Sequence, residues 1–316
     1  MMRVFFAVDV HGATTVWRKW ITAVGMYEAD ALILSGDLTG KALVPIIKQE
    51  DSSYRCAYFG QIWTLKTEEE ILEMERKLSN GGLYSVRCDK PLLERMKKDE
   101  SVWHTVMDQE MVKRLREWMD LLVEKIDTRK ITTIAMPGND DERIIDDVIK
   151  SYEDRGVIYP LGRVMDFEGH EVVSLEYVNP TPWDTPRELD EKSLMRKIEE
   201  TIQPIKNMRT SIWNFHCPPV DTDIDLAPKL DKSMKVVAGL DGVKMVHVGS
   251  KSMRQAIQKY QPMLGLHGHI HESSGFTRIG ETLCLNPGSE YGEGLLRGFI
   301  IELSRGGIEK YWKIQG

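Results

Sequence analysis

The chain has few cysteines, no long hydrophobic run and no excess of positive charge, and each lack excludes something. No apolar stretch approaches the roughly 18 residues that span a bilayer. The apolar run before Asp9 is too short for the core of a secretion signal. A cytoplasmic protein with no membrane partner is therefore expected. Cys56, Cys88, Cys217 and Cys284 are scattered with no Cys-x-x-Cys spacing, which speaks against a disulfide framework or a structural zinc site. A formal net charge of −7 speaks against a protein that holds nucleic acid through a basic surface. It leaves nucleotides and nucleic-acid ends open as substrates, because a metal cluster could supply the missing positive charge.

What is present is ordinary globular composition, 41% hydrophobic and 29% charged over 316 residues, enough for one large α/β domain carrying an insertion. "RVFFAV" reads as a buried strand, "ATTVWRKWITAVGMY" as a helix and "ADALILSGDLTG" as a second strand. This β-α-β unit implies a parallel sheet, in which ligands gather at the carboxyl ends of strands. Residues 42–105 break the rhythm. "YRCAYFGQIWTLK" reads as a hairpin, "TEEEILEMERKL" as a helix capped at Thr67 and "NGG" as a turn, together an inserted cap-like α+β subdomain holding Trp63 and Trp103. Met111, Leu115, Trp118, Leu122 and Ile126 then form one helical stripe.

"KITTIAMPGNDD" is a third strand, and "ERIIDDVIKSYEDRG" a helix stopped at Gly156. The second half holds two antiparallel strands around Glu168-Gly169, a helix from about 186 to 202, and short strands to the end. Thr185-Pro-Arg-Glu188 has the form of a capping box that would open that helix, and Ser250 that of an N-cap.

Strand after strand ends in Asp, Asn or His: Asp9-x-His11, Gly36-Asp37, Gly138-Asn139, His216 and Gly268-His269-x-His271. Residues i and i+2 of a strand share a face, so each Asp/His or His/His pair could converge on one point. Neutral imidazoles, carboxylates and an amide oxygen suit divalent manganese, iron, zinc or nickel. The glycines before Asp37, Asn139 and His269 would permit tight turns that aim the next side chain inward.

This ordered set resembles the calcineurin-like metallophosphoesterase superfamily, whose pattern is D-x-H, GD, GNH[DE], H and GHxH. "PGNDD", "GLHGHIHE" and "LNPGSEYGEG" look closest to a prokaryotic branch of predicted phosphoesterases. The resemblance implies a four-layer α/β/β/α sandwich and two divalent ions bridged by Asp37. Asp9, His11 and His271 would hold one ion, and Asn139, His216 and His269 the other. It implies hydrolysis of a phosphoester, a diester in preference to a monoester, with a metal-bridging hydroxide attacking phosphorus in line. A nuclease of the same superfamily and a catalytically reduced metal-binding scaffold are the alternatives. The substrate could be a nucleotide; nucleic acid is the less favoured partner.

The sequence departs from the pattern at Gly138-Asn139-Asp140-Asp141, where the superfamily has a histidine at the position of Asp140. The catalytic set is thus Asp37, Asn139 and, with less support, Asp140. Asp140 could be a proton donor, His104 of the insertion could substitute, or the substrate could carry a good leaving group; the last is favoured. Asp140 and Asp141 could instead cap the following helix. Trp183, Arg187 and His104 are candidates for contacting substrate, though packing roles suit them as well. His170, His247 and His267 carry no motif, and Cys217 reads as a small buried residue. The insertion is expected to cover the site and set specificity, or else to form a dimer contact.

Overall fold

Alternation along the early strands builds two cores at once. Val4, Phe6 and Ile33 point to one face of their sheet, and Phe5, Ala7, Leu32 and Leu34 to the other. In the computed structural model, which describes residues 1–240 and 242–316, these strands belong to a six-stranded sheet. Its order is Gly307–Gln315, Arg297–Ser304, Met2–Ala7, Ala31–Ser35, Thr132–Met136 and Val157–Ile158. The last four are parallel, and strand Arg297–Ser304 runs antiparallel to Met2–Ala7.

A second six-stranded sheet packs face to face on the first. Its order is Gly275–Ile279, Thr282–Asn286, Leu264–Leu266, Ile212–Phe215, His170–Leu175 and Met165–Phe167, with the four inner strands parallel. Val172, Ile212, Leu264, Leu266, Leu283 and Leu285 meet Val4, Phe6, Ile33 and Ile301 between the sheets.

Helices cover both outer faces. On the first sheet lie α1 (Thr14–Tyr27), α4 (Glu100–Lys125) and α5 (Ile144–Lys150). The rings of Trp17 and Trp118 stack there at 4.8 Å, and Trp17 Nε1 donates to the Trp118 carbonyl. Truncating either ring would cost about 3–5 kcal/mol. On the second sheet lie α6 (Glu191–Ile202) and α7 (Lys251–Tyr260). The result is the expected α/β/β/α sandwich.

The interrupting segment forms a separate four-stranded sheet, ordered Gln61–Leu65, Tyr54–Tyr58, Leu43–Lys48 and Tyr84–Cys88. Helix α2 (Glu68–Asn80), opened by the Thr67–Glu70 capping box, lays Ile71, Met74 and Leu78 over Ile46, Cys56 and Leu65. Helix α3 (Lys90–Lys98) follows. The boundary expected at 105 falls inside α4, which Asp99 caps through the Ser101 amide.

Several local expectations need correction. The helix expected from 186 starts at Glu191, with Asp190 as the cap accepting from the Ser193 amide. Thr185 caps nothing: the Glu188 carboxylate is taken up by the amides and hydroxyls of both Thr181 and Thr185, which fixes a turn instead. The helix after Asn139 is short. Its N-cap is Arg143 with no side-chain cap, so neither Asp140 nor Asp141 caps it. Gly156 terminates a separate 3-10 turn, Glu153–Arg155, in a left-handed conformation. Ser250 does cap α7, accepting from the Met253 amide.

Candidate metal centre

Parallel strands Met2–Ala7, Ala31–Ser35 and Thr132–Met136 of the first sheet and Ile212–Phe215 and Leu264–Leu266 of the second run into five loops that carry Asp9, His11, Asp37, Asn139, His216, His269 and His271. The structure brings all seven together. One group comprises Asp9, His11 and His271; a second comprises Asp37, His216 and His269. Asn139 joins the second group, its Oδ1 lying 3.1 Å from His216 Nε2. Asp37 Oδ2 lies between the two groups, 3.3 Å from His216 Nε2 and 3.7 Å from His11 Nε2.

Convergence comes from turns, which corrects the shared-face argument. Strands Met2–Ala7 and Leu264–Leu266 stop before these residues. Asp9, His11, Asp37 and His269 all have left-handed backbones, with φ of 54°, 40°, 49° and 70°. Each such residue costs about 1–2 kcal/mol for want of glycine's freedom. His269 and His271 accordingly face different groups. Gly36 has φ 93°, and a Cβ there would overlap the His216 ring; at Gly138 a Cβ would overlap Asp37 Oδ1.

Surrounding groups orient each side chain. Asp9 Oδ2 accepts from the His269 amide at 3.0 Å, while its Oδ1 is buried with no partner. Asp37 Oδ1 accepts from the Asp140 amide, turning Oδ2 inward. Asn139 Nδ2 donates to Thr185 Oγ1, which donates to Glu188, so the amide oxygen faces the cluster. His216 Nδ1 donates to the Ser35 carbonyl, leaving Nε2 inward. Asp141 accepts from the Leu38, Thr39 and Gly138 amides and the Thr39 hydroxyl, clamping the two residues after Asp37 to the one before Asn139.

Burial and crowding set the charges. Burial drives His11 and His269 down to about 3, and lowers His271, so these imidazoles are neutral near pH 7. Burial opposes charge on His216 also, but the Asp37 carboxylate and then Asp9 pull it up to about 9. Burial raises Asp9 well above the usual carboxylate range, and with the Asp37 charge it lifts Asp140 to about 7. His11 Nε2 and His271 Nε2 face each other at 3.0 Å, a pairing of lone pairs that one proton or one cation must relieve. An unpartnered buried carboxylate oxygen beside facing imidazole nitrogens is a donor set that divalent cations fit.

The opening lies on the side of His269, His271 and Asp140; the other five side chains are buried. Two rim residues gave no clear signal in the sequence. Tyr291 packs its ring 4.7 Å from His11 and 5.8 Å from His271. Lys41 pairs with Asp140. Tyr291 lies in the quoted "LNPGSEYGEG", and Lys41 only four residues past Asp37.

Other candidates fall elsewhere. Arg187 is fully buried, its guanidinium spent on Asp146 and on the Asp141 and Glu142 carbonyls, so it pins the Asn139 loop rather than facing substrate. His104 is on the exposed face of α4, 3.6 Å from Glu100, and joins no part of the cluster. Trp183 is 62% exposed on the turn that carries Thr185. His267 is buried, its Nδ1 bonded to the Phe215 and Cys217 carbonyls. Cys217 is buried as expected.

No family model matches the chain. A relative in Methanocaldococcus jannaschii, the uncharacterized protein MJ1162, is 30% identical over 176 residues, covering 54% of this chain and 69% of that one. The two belong to one family. Solved structures carry the same fold. One crystal structure superposes with a TM-score of 0.56 at 16% identity, over 99% of this chain and 98% of the other. The protein TT1561 of Thermus thermophilus does so at 0.52 and 13%, over the same shares. Identities this low speak for the fold alone. Within this fold the cluster occupies the carboxyl ends of both parallel strand sets, where ligands collect. No helix is long and apolar enough to cross a membrane among the described residues.

Proposed function

We propose that this chain is a dimetal phosphoesterase acting on phosphodiesters. The observation that carries the reading is the meeting of seven buried or half-buried ligand-type side chains from five loops, with Asp37 Oδ2 between the two groups. Asp9, His11 and His271 would hold one divalent ion and Asn139, His216 and His269 the other, with Asp37 shared. Manganese, iron, zinc and nickel all suit this nitrogen and oxygen set. When bound, the ion pair supplies Lewis acidity at the phosphoryl oxygens and a hydroxide for in-line attack at phosphorus.

The chain's own groups do the rest. Asp37 and Asn139, aimed by the Asp140 amide and by Thr185, fix where the reacting phosphorus is presented. Asp140, a rim carboxyl lifted to about 7, repels a monoanionic diester less than a dianionic monoester. Diesters with good leaving groups are the substrates that need least acid assistance. The four-stranded sheet of residues 43–88, a cap-like layer beginning just past Lys41, would limit the size of what enters. Exposed Trp183 would stack on an aromatic or nucleobase portion of the substrate.

The test is reconstitution with manganese, metal analysis, and turnover of bis(p-nitrophenyl) phosphate against p-nitrophenyl phosphate. Two ions per chain and faster diester turnover, abolished by Asp37→Asn, are expected. Two ions without turnover of any phosphoester would favour the scaffold instead, and no metal uptake would overturn the reading.

A further inference from the structure

We infer that Lys41 is the substrate-binding cation of this centre, its ammonium held at the mouth by Asp140 and hydrogen-bonding a non-bridging oxygen of the phosphoryl group. The inference rests on the phosphoesterase reading and deepens it. Among the described residues, Lys41 is the one lysine or arginine paired with a carboxylate of the cluster. The Asp140 amide is bound to Asp37 Oδ1 at 2.9 Å, and its Oδ2 lies 3.8 Å from His11 Nδ1. An ammonium resting on the other Asp140 oxygen therefore belongs to the rim of the centre rather than to the outer surface.

The side chain is half exposed, so its head can turn, but its base cannot. The amide of the preceding Gly40 donates to Tyr84 Oη at 3.1 Å, and a Cβ at Gly40 would overlap the Gly82 carbonyl. Tyr84 is buried with the Arg114 guanidinium 4.2 Å above its ring, and Arg114 Nη1 donates to the Gly12 carbonyl beside His11. Where the chain leaves the sandwich for the four-stranded sheet, it is thus bolted to the loop that carries His11, and Lys41 is the next residue out.

Charge gives this placement its use. A phosphoryl group entering past Asp140 meets a carboxyl whose ionised form repels it; a half-exposed ammonium on the same carboxylate offsets part of that repulsion. The ammonium has three N–H donors, and those not given to Asp140 are free for an incoming oxygen. The interaction is electrostatic and transfers no proton.

The experiment compares wild type, Lys41→Gln and Lys41→Arg, all manganese-loaded, for metal content, melting temperature and inorganic phosphate affinity by calorimetry. Lys41→Gln is expected to keep its metal and its melting temperature but to bind phosphate roughly ten- to a hundredfold more weakly, the loss expected for one hydrogen bond to a charged group. Lys41→Arg should retain most of the affinity. For a diester, kcat/KM should fall in the same order. Equal phosphate affinity in wild type and Lys41→Gln would overturn the inference and leave the phosphoesterase reading standing. Loss of metal from Lys41→Gln would also overturn it, by making Lys41 a support of the centre itself. A metal-loaded wild type that neither binds phosphate nor turns over a phosphoester would remove the reading and this inference together.

Discussion

Asp141→Asn replaces one carboxylate oxygen by an amide nitrogen in a place where both oxygens are fully engaged. Oδ2 accepts from the Leu38 amide at 2.9 Å and the Gly138 amide at 2.8 Å; Oδ1 accepts from the Thr39 amide at 2.8 Å and its hydroxyl at 2.6 Å. With the new NH2 toward Leu38 and Gly138, two buried backbone donors would face a donor. With it toward Thr39, the hydroxyl can rotate to accept, but the Thr39 amide is left unpaired. The second arrangement is the cheaper, and it still gives up charge-assisted bonds and orphans one buried N–H.

Those losses amount to about 2–4 kcal/mol, even though asparagine escapes the desolvation that raises the Asp141 carboxyl. Leu38 and Thr39 directly follow Asp37, so loosening them moves Asp37 Oδ2 from between the two ligand groups. Urea denaturation of the metal-free protein should show a lower midpoint, and manganese affinity should fall about tenfold or more. An unchanged midpoint together with unchanged manganese uptake would refute the reasoning that Asp141 positions this loop.

Gly138→Ala puts a methyl group onto Asp37 Oδ1, so manganese stoichiometry should drop toward one per chain or below, while circular dichroism shows the sandwich intact. Glu191→Gln weakens the tie between α6 and the start of α7, where the carboxylate accepts from the Ser250 hydroxyl and from the Lys251 and Ser252 amides. At this half-exposed place the loss should be about 1 kcal/mol. Burial opposes the charge of Glu191, but those hydrogen bonds win and hold it below its ordinary value of 4.5. Its contribution is therefore fully present above that value and is lost as pH falls through the lower folded value. Denaturation midpoints of wild type and variant should differ most near neutrality and converge in acid. Trp183→Ala removes an exposed ring, so the melting temperature should stay put while KM rises for nucleotide diesters and not for small alkyl ones.

The helix that opens at Glu191 and the seven-residue cluster show how far local pattern carries. A capping box at Thr185 satisfied every local rule. The same Glu188 carboxylate also reached Thr181, four residues before Thr185, and its bonds to both threonines hold a turn where the helix was expected. Arg187, beside it, looked available to an anion because nothing in the sequence shows that Asp146 and two carbonyls enclose it.

Strand alternation, residue type and order along the chain were legible from the sequence, because burial on both faces of a parallel sheet selects apolar runs and because metal-binding chemistry is confined to few residue types. They marked the strands and the strand-end side chains, and the family resemblance those residues carry implied the four-layer sandwich and the convergence of the seven. How those side chains divide was implied by the resemblance and not by spacing; only the tertiary structure gives the physical reason, since four of them lie past strand ends in left-handed turns, where sequence spacing no longer says which way a side chain points. It alone set Asp141 as a clamp and Lys41 at the mouth. Both depend on contacts between loops about a hundred residues apart, and the free energy of such a contact belongs to the pair rather than to either local stretch.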